Sequence, residues 1–193
     1  MGRLIINVGT TVNGAFEAPA PEPHGGWLVT DPDSMRAGRE MWQAADAMLL
    51  GRKTYEGLSA AWPKLADAPG FEAYAARMNS MPKYVASRSL SAPLEWNATL
   101  LDGALTEAVS NLKDKHDGNL IVPCAGELAR DLIANDLVDE FWINVSPYLW
   151  ADGPQILDGI GPLRLEPTST TVFPSGVIRL CYRPAPADSF AAR

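Results

Sequence analysis

The sequence predicts an α/β domain: a mixed, mainly parallel sheet flanked by helices, with an antiparallel hairpin at its C-terminal end. Three observations predict it. Short, apolar, β-branched-rich runs alternate with stretches of helical period. The junctions between them collect Gly, Ser, Thr and Arg. After Val138 the alternation gives way to strand, turn and strand around Pro174-Ser175-Gly176.

Leu4 to Val8 reads as a buried strand, bounded by Gly9 and the turn signal Asn13-Gly14. Glu17 to Gly26 holds Pro19, Pro21, Pro23, Gly25 and Gly26, a composition that predicts a surface loop able to close over a ligand. Asp31-Pro32-Asp33-Ser34 supplies capping oxygens and a proline suited to a first helical turn; Met35, Trp42, Ala45 and Met48 then give a helical face. Ala47 to Leu50 reads as a strand that turns through Gly51-Arg52-Lys53-Thr54 into a helix carrying Tyr55 and Leu58, ended at Trp62-Pro63. Phe71, Tyr74, Ala75 and Met78 recur at helical spacing before Pro82, and Lys83 to Ala86 is the next strand. Ala98 to Leu101 (strand), Leu105 to Leu112 (helix), Asn119 to Val122 (strand) and Gly126 to Asn135 (helix) complete the alternation. Val138 to Tyr148, Thr168 to Phe173 and Val177 to Tyr182 are the closing strands. One domain over residues 1–184 is expected, with 185–193 as a frayed tail.

Composition narrows the function. With 193 residues, 47% hydrophobic and 20% charged, the chain has material for a sizeable core, which removes fibrous and disordered classes. Sixteen Lys and Arg against 23 Asp and Glu leave a net charge of −7, which repels a phosphate backbone and argues against a nucleic-acid binder. Cys124 and Cys181 are the only cysteines, too few for a disulfide scaffold and consistent with a reducing cytoplasm. No apolar run is long enough for a membrane span, and the N-terminal run is too short for a signal peptide. Neither His24 nor His116 has a ligand cluster around it in sequence, so no metal is expected.

Three junctions share one logic. Leu50 to Thr54, Val85 to Ser89 and Val122 to Glu127 each place small, hydroxyl or charged residues where a strand gives way to a turn or helix. In open α/β sheets that C-terminal edge receives ligands, and helix N-termini present unpaired N–H groups to phosphate. Arg52, Lys53 and Arg88 add positive charge there. Neither G-x-G-x-x-G nor a P-loop is present, so a standard dinucleotide or nucleoside-triphosphate motif is not the source of this pattern.

Leu49-Leu50-Gly51-Arg52-Lys53-Thr54-Tyr55-Glu56, Pro82-Lys83-Tyr84-Val85-Ala86-Ser87-Arg88-Ser89-Leu90 and Ala125-Gly126-Glu127-Leu128 resemble the motifs of the dihydrofolate-reductase-like family. The branch is that of the reductase domain of the riboflavin-biosynthesis deaminase-reductase. Asn13-Gly14, Gly26-Trp27, Leu137-Val138-Asp139-Glu140 and Phe173-Pro174-Ser175-Gly176-Val177 support it, from about Leu4 to Pro184. The resemblance implies a dihydrofolate-reductase-like three-layer fold, NADPH as cofactor, a cytoplasmic homodimer, and hydride transfer to a C=N or aldehyde-level carbon of a small heterocycle. Its reference reaction reduces 5-amino-6-(5-phosphoribosylamino)uracil. It places Gly51, Arg52, Lys53 and Thr54 against the cofactor phosphates, Ser87 and Arg88 at the adenosine 2′-phosphate, and Ala125, Gly126 and Glu127 at the pyrophosphate. Val8, Asn13 and Gly14 then fall on the nicotinamide side. Asn13 stands where this branch commonly has aspartate, and Pro123-Cys124-Ala125 replaces a glycine-rich approach. The zinc-deaminase signature is absent.

Reducing a C=N carbon also requires a proton on nitrogen, and the family draws it from a carboxylate on the first helix; Asp33 is the candidate, set against a capping role for Asp31 or Asp33. Trp27 is the candidate to stack on a flat substrate. Two alternatives stand beside this reading: a non-catalytic nucleotide-binding or sensing module, and a reductase of pterin- or folate-like substrates. Phe141, Trp142, Ile143, Val145, Tyr148, Leu149 and Trp150 crowd one short span, an apolar surface suited to the homodimer.

Overall fold

A computed structural model of the chain describes residues 1–16, 29–150, 153–156 and 158–186. Trp27, the whole of the proline-rich Glu17 to Gly26 loop and the last residues of the tail lie outside the described residues. The elements run β1 (Arg3–Thr11), α1 (Pro32–Ala44), β2 (Ala45–Gly51), α2 (Arg52–Ala61), a short 3-10 turn (Trp62–Leu65) and α3 (Glu72–Ser80). They continue with β3 (Lys83–Ala86), β4 (Ala98–Leu100), α4 (Leu105–Lys115), β5 (Asn119–Val122), α5 (Glu127–Ala134), β6 (Glu140–Ser146), β7 (Leu165–Val172) and β8 (Ile178–Pro184). The eight strands form a mixed sheet in the order β4-β3-β2-β5-β1-β6-β8-β7. Pairing is parallel for β2 with β3 and β5, β3 with β4, and β1 with β6; it is antiparallel for β8 with β6 and β7. This is the mainly parallel sheet with a terminal hairpin that the sequence predicts.

Contacts divide the chain into two compact units, Met1–Leu4 with Arg36–Pro123, and Ile5–Met35 with Cys124–Arg193. In the first, Met48, Leu49, Leu50, Leu120, Ile121, Val122 and Val85 are wholly buried. Strands covered on both faces need continuous apolar runs rather than alternation, which is why these segments are so legible. Lys83 is the exception: it is 1% exposed, its Nζ donates to the Asn79 carbonyl at 2.8 Å, and it lies 4.1 Å from the Trp96 ring centroid. Burial, reinforced by Arg77, pushes its pKa down to about 8.

The first helix is shorter than its periodicity implies. It stops at Ala44, and Ala45 and Met48, read as part of its face, belong to β2. Residues of a doubly buried strand are apolar throughout and therefore satisfy helical spacing as well. Arg77 seals the junction by donating to the carbonyls of Trp42 and Ala45.

In the second unit β7 is largely exposed, and Pro167 sits on this edge strand where the register against β8 shifts between Pro167 and Ser169, a position that tolerates a residue with no N–H. The hairpin closes with Phe173 N–H donating to Val177 O at 2.8 Å and Gly176 N–H to Phe173 O at 2.9 Å. Gly176 has φ +85°, and a Cβ there would also crowd the Pro147 ring at 3.3 Å.

Candidate functional site

In the first unit, β2 and β3 end side by side: Gly51 pairs with Ala86, so the turns that leave them, Arg52 to Thr54 and Ser87 to Ser89, start from neighbouring points. Gly51 is the N-cap of α2 in an extended conformation and no side chain caps the helix, which leaves its first N–H groups available to an anion. Arg52 is exposed and its Nη1 straddles both oxygens of Glu56, at 3.2 and 3.1 Å, one helical turn away. Lys53 is exposed and Thr54 half-buried. Ser87 Oγ accepts the N–H groups of Ser89 (3.2 Å) and Leu90 (3.1 Å), folding the turn back so that the exposed Arg88 stands at its crest. Arg88 has no ion pair or hydrogen bond among the described residues.

In the second unit, Gly126 is the N-cap of α5, again without a side-chain cap, and a Cβ at Gly126 would meet nothing within 4 Å. Ala125 is packed in the core and Glu127 is exposed. Cys124 is half-exposed, while Cys181 is buried.

The turn after β1 is tightly closed. Thr11 N–H donates to Ala15 O at 2.9 Å, Ala15 N–H to Thr11 Oγ1 at 3.0 Å, and Thr11 Oγ1 to Asn13 Oδ1 at 2.9 Å. Asn13 also clasps Trp150 in both directions: Nδ2 donates to Trp150 O at 2.7 Å, and Trp150 N–H donates to Asn13 Oδ1 at 2.9 Å. An aspartate cannot make the donated half of this clasp, so asparagine has a structural reason here. Gly14 adopts φ +87°, and a Cβ there would stand 3.0 Å from Gln155 Oε1. Val8 is buried in β1, and its carbonyl accepts a hydrogen bond from Asn144 Nδ2 at 3.3 Å.

Asp31, rather than Asp33, caps α1. Its Oδ1 accepts the N–H groups of Asp33 (2.8 Å) and Ser34 (3.0 Å), while Ser34 Oγ accepts Asp31 N–H at 2.9 Å, the reciprocal arrangement of a capping box. Its Oδ2 takes Ser175 N–H at 3.2 Å, tying the helix start to the hairpin. The adjoining Ser175 hydroxyl, then the N–H groups of Ser34, Ser175 and Asp33, hold the Asp31 carboxyl down to about 2. Ser175 Oγ is sealed from solvent and outside directed hydrogen-bond geometry, so the N–H groups are the firmer part of that effect. A carboxyl so acidic carries no proton to give near neutrality. Asp33, half-buried in the same turn, is left as the acidic candidate of this turn.

The model of the RibD C-terminal domain family matches residues 3–179, nearly the whole chain. The chain belongs to that family. This RibD-type chain is 26% identical over 181 residues to the uncharacterised protein YyaP of Bacillus subtilis (strain 168), spanning 93% of this chain and 94% of that one. Its structure is similar to that of a Shewanella sp. PV-4 protein provisionally assigned to riboflavin biosynthesis, with a TM-score of 0.75 and 19% identity over 95% of this chain and 99% of that one. It is also similar to dihydrofolate reductase from Enterococcus faecalis solved with NADP(H), with a TM-score of 0.61 and 14% identity over 95% and 97% of the two chains. At such identities the likeness establishes the fold, which is dihydrofolate-reductase-like.

Two polar groups of this RibD-type chain escape sequence reasoning. Asp46 Oδ2, 3.7 Å from His116 Nδ1, accepts Gly118 N–H at 2.8 Å, while Tyr84 OH meets His116 Nε2 at 3.1 Å and Lys115 Nζ at 2.9 Å. No sequence signal brings these groups to His116, which in space lies between Asp46 and Tyr84. On β8, Arg179 Nε donates to Asn144 Oδ1 at 2.8 Å, and Asn144 Nδ2 donates on to Asn7 Oδ1 at 3.0 Å. Burial lowers the Arg179 pKa from its ordinary value, although a guanidinium remains charged across the physiological range. The only local signal was a polar residue recurring in otherwise apolar strands. A separate cavity of about 460 Å³, lined by Arg130, Asp131, Ile133, Ala134 and the Gly159 to Leu163 loop, contains none of the candidate residues.

Proposed function

We propose that this RibD-type reductase binds NADPH and reduces a C=N or aldehyde-level carbon of a small heterocycle, with riboflavin-type pyrimidine reduction as the reference reaction. The observation that carries the reading is Arg88: a cation without a partner among the described residues, in a chain of net charge −7, beside the Ser87 turn at the C-terminal end of β3. An arginine fork with neighbouring hydroxyls suits a phosphate monoester, the group that separates NADPH from NADH.

The donor set fits such a cofactor. Taken by itself, each unit offers an uncapped first turn whose backbone N–H groups suit phosphate oxygens, at Gly51 in the first and at Gly126 in the second, where open space leaves the backbone approachable. When bound, the nicotinamide supplies the hydride. The chain's own task is then to hold the heterocycle and deliver a proton. We assign that proton to Asp33, directly or through water, because both carboxyl oxygens of Asp31 are already engaged by the N–H groups of Asp33, Ser34 and Ser175. Trp27 remains the proposed stacking residue for the substrate, and the exposed Tyr148 and Leu149 are the proposed centre of a homodimer contact.

Titration of NADPH and NADH into the wild-type protein and Arg88→Ala tests the cofactor. The substitution should weaken NADPH roughly ten- to a hundredfold, the scale of a charge-assisted hydrogen bond, and leave NADH nearly unchanged. Equal losses for both would remove the 2′-phosphate assignment.

A further inference from the structure

We propose that Arg179 is the residue through which this chain recognises an oxyanion, carboxylate or phosphate, on its substrate. The assignment rests on the reductase reading for the word substrate, and on the second unit alone for its geometry.

The strands set the geometry. Arg179 lies directly opposite Asn144 across the β8–β6 pair, and Asn144 lies beside Gly9 across the β6–β1 pair, with Asn7 two residues back on the same face. Gly9 projects no side chain between them, so Asn144 Nδ2 reaches both Asn7 Oδ1, at 3.0 Å, and the Val8 carbonyl, at 3.3 Å. A carbonyl can only accept. The amide nitrogen must therefore face Val8, which turns Asn144 Oδ1 toward Arg179 Nε at 2.8 Å. One orientation of the asparagine is thus dictated, and it fixes the guanidinium in turn.

The guanidinium carbon lies 5.9 Å from the Trp142 ring centroid and 5.5 Å from that of Phe173, so aromatic contacts hold the group further. What remains is the Nη1/Nη2 edge, which has no acceptor among the described residues. Several other arginines are satisfied within the protein, Arg52 by Glu56, Arg183 by Glu166 and Arg77 by two carbonyls, while Arg88, which has no partner among the described residues, is exposed where Arg179 is half-buried. A half-buried guanidinium whose outer edge meets no carboxylate among the described residues keeps hydrogen-bonding capacity unused, and an incoming oxyanion fills it with two parallel, charge-assisted hydrogen bonds. Phe173 begins the hairpin whose Ser175 N–H holds Asp31 at the start of α1, so the same few residues connect the cation to the turn bearing Asp33.

Calorimetric titration at low salt with two probe pairs distinguishes the sources of the oxyanion: orotate against uracil for carboxylate, and uridine 5′-monophosphate against uridine for phosphate. In at least one pair the anionic member should bind tenfold or more tightly than the neutral one. Arg179→Met should abolish that preference, and Arg179→Lys, which keeps the charge but not the fork, should retain only part of it. Absence of preference in both wild-type pairs, or equal preference in the Met or Lys variant, overturns the assignment; Arg179→Lys decides alone if Arg179→Met melts early by circular dichroism. NADPH titration of the same samples separates the two readings. Anion preference without NADPH binding sinks the reductase reading and leaves Arg179 standing, whereas NADPH binding without anion preference sinks Arg179 alone.

Discussion

The turns after β2 and β3 in the first unit, and the turns after β1 and before α1 in the second, contain similar polar residues, yet they are built differently. Around Arg52 to Thr54 and Ser87 to Arg88 the side chains are largely exposed, the helix start is uncapped, and Arg88 has no partner among the described residues. Around Thr11 to Ala15 and Asp31 to Ser34 nearly every polar atom is already spoken for: Asn13 by Trp150, Thr11 by Ala15, Asp31 by Ser34 and Ser175. Open turns have hydrogen-bonding capacity left for a ligand. Closed turns spend that capacity on holding backbone in place, so their residues act on chemistry through position.

Breaking a closed turn should have the largest effect. Asn13→Ala removes both halves of the clasp on Trp150 and should cost roughly 0.5–1.5 kcal/mol of stability, the net range for hydrogen bonds whose partners water can still reach. Asn13→Asp should cost at least as much, because a carboxylate sets negative charge against the Trp150 carbonyl and cannot donate to it. Thermal melts near neutral pH measure both. A wild-type melting temperature for Asn13→Asp would show that the clasp is ornamental and the comparison misplaced.

The next effect is confined to acid. Asp31 has an ordinary carboxyl value of 3.8 when unfolded and about 2 when folded, so between those values the folded state binds fewer protons. Its contribution to stability is complete above about pH 4 and is lost as pH falls through about 2. Asp31→Asn should therefore be less stable than wild type at neutral pH, with the gap narrowing across that window and wild type showing the steeper acid limb. Parallel acid limbs in urea melts would mean the cap does not hold the carboxylate.

This contrast also marks what sequence could reach. Met48 to Leu50, Leu120 to Val122 and the Pro174-Ser175-Gly176 hairpin were legible because burial on both faces and turn chemistry leave local signatures. The open turns were legible too, since Gly51-Arg52-Lys53-Thr54 and Ser87-Arg88 are contiguous in sequence. The closed ones were not. Asn13 meets Trp150, Asp31 meets Ser175, and Asn7 meets Asn144 from more than a hundred residues away, and hydrogen bonds across such separations leave no periodicity. The Ala44/Ala45 boundary was hidden differently, by an apolar run that fits both periods.

The smallest stability effect belongs to Glu56, and it is the sharpest test of the open side. The Arg52–Glu56 pair is a solvent-exposed i,i+4 contact at 3.1 Å, so breaking it should change stability by no more than about 0.5 kcal/mol. If Arg52 holds a cofactor phosphate, however, it must exchange Glu56 for it, and the carboxylate competes with the ligand. Glu56→Gln should therefore tighten NADPH and NADH by a similar factor of two or three, since the pyrophosphate is common to both, while the melting temperature barely moves. Arg52→Ala should weaken both cofactors together, in contrast to the NADPH-selective loss expected from Arg88→Ala. If Glu56→Gln left both affinities unchanged while Arg52→Ala lowered them, Arg52 would reach the phosphate without leaving its carboxylate, and competition by Glu56 would be excluded. If neither substitution altered binding, the turn after β2 would be open to solvent for reasons unrelated to the cofactor, and exposure there would cease to distinguish a binding turn from a merely solvated one.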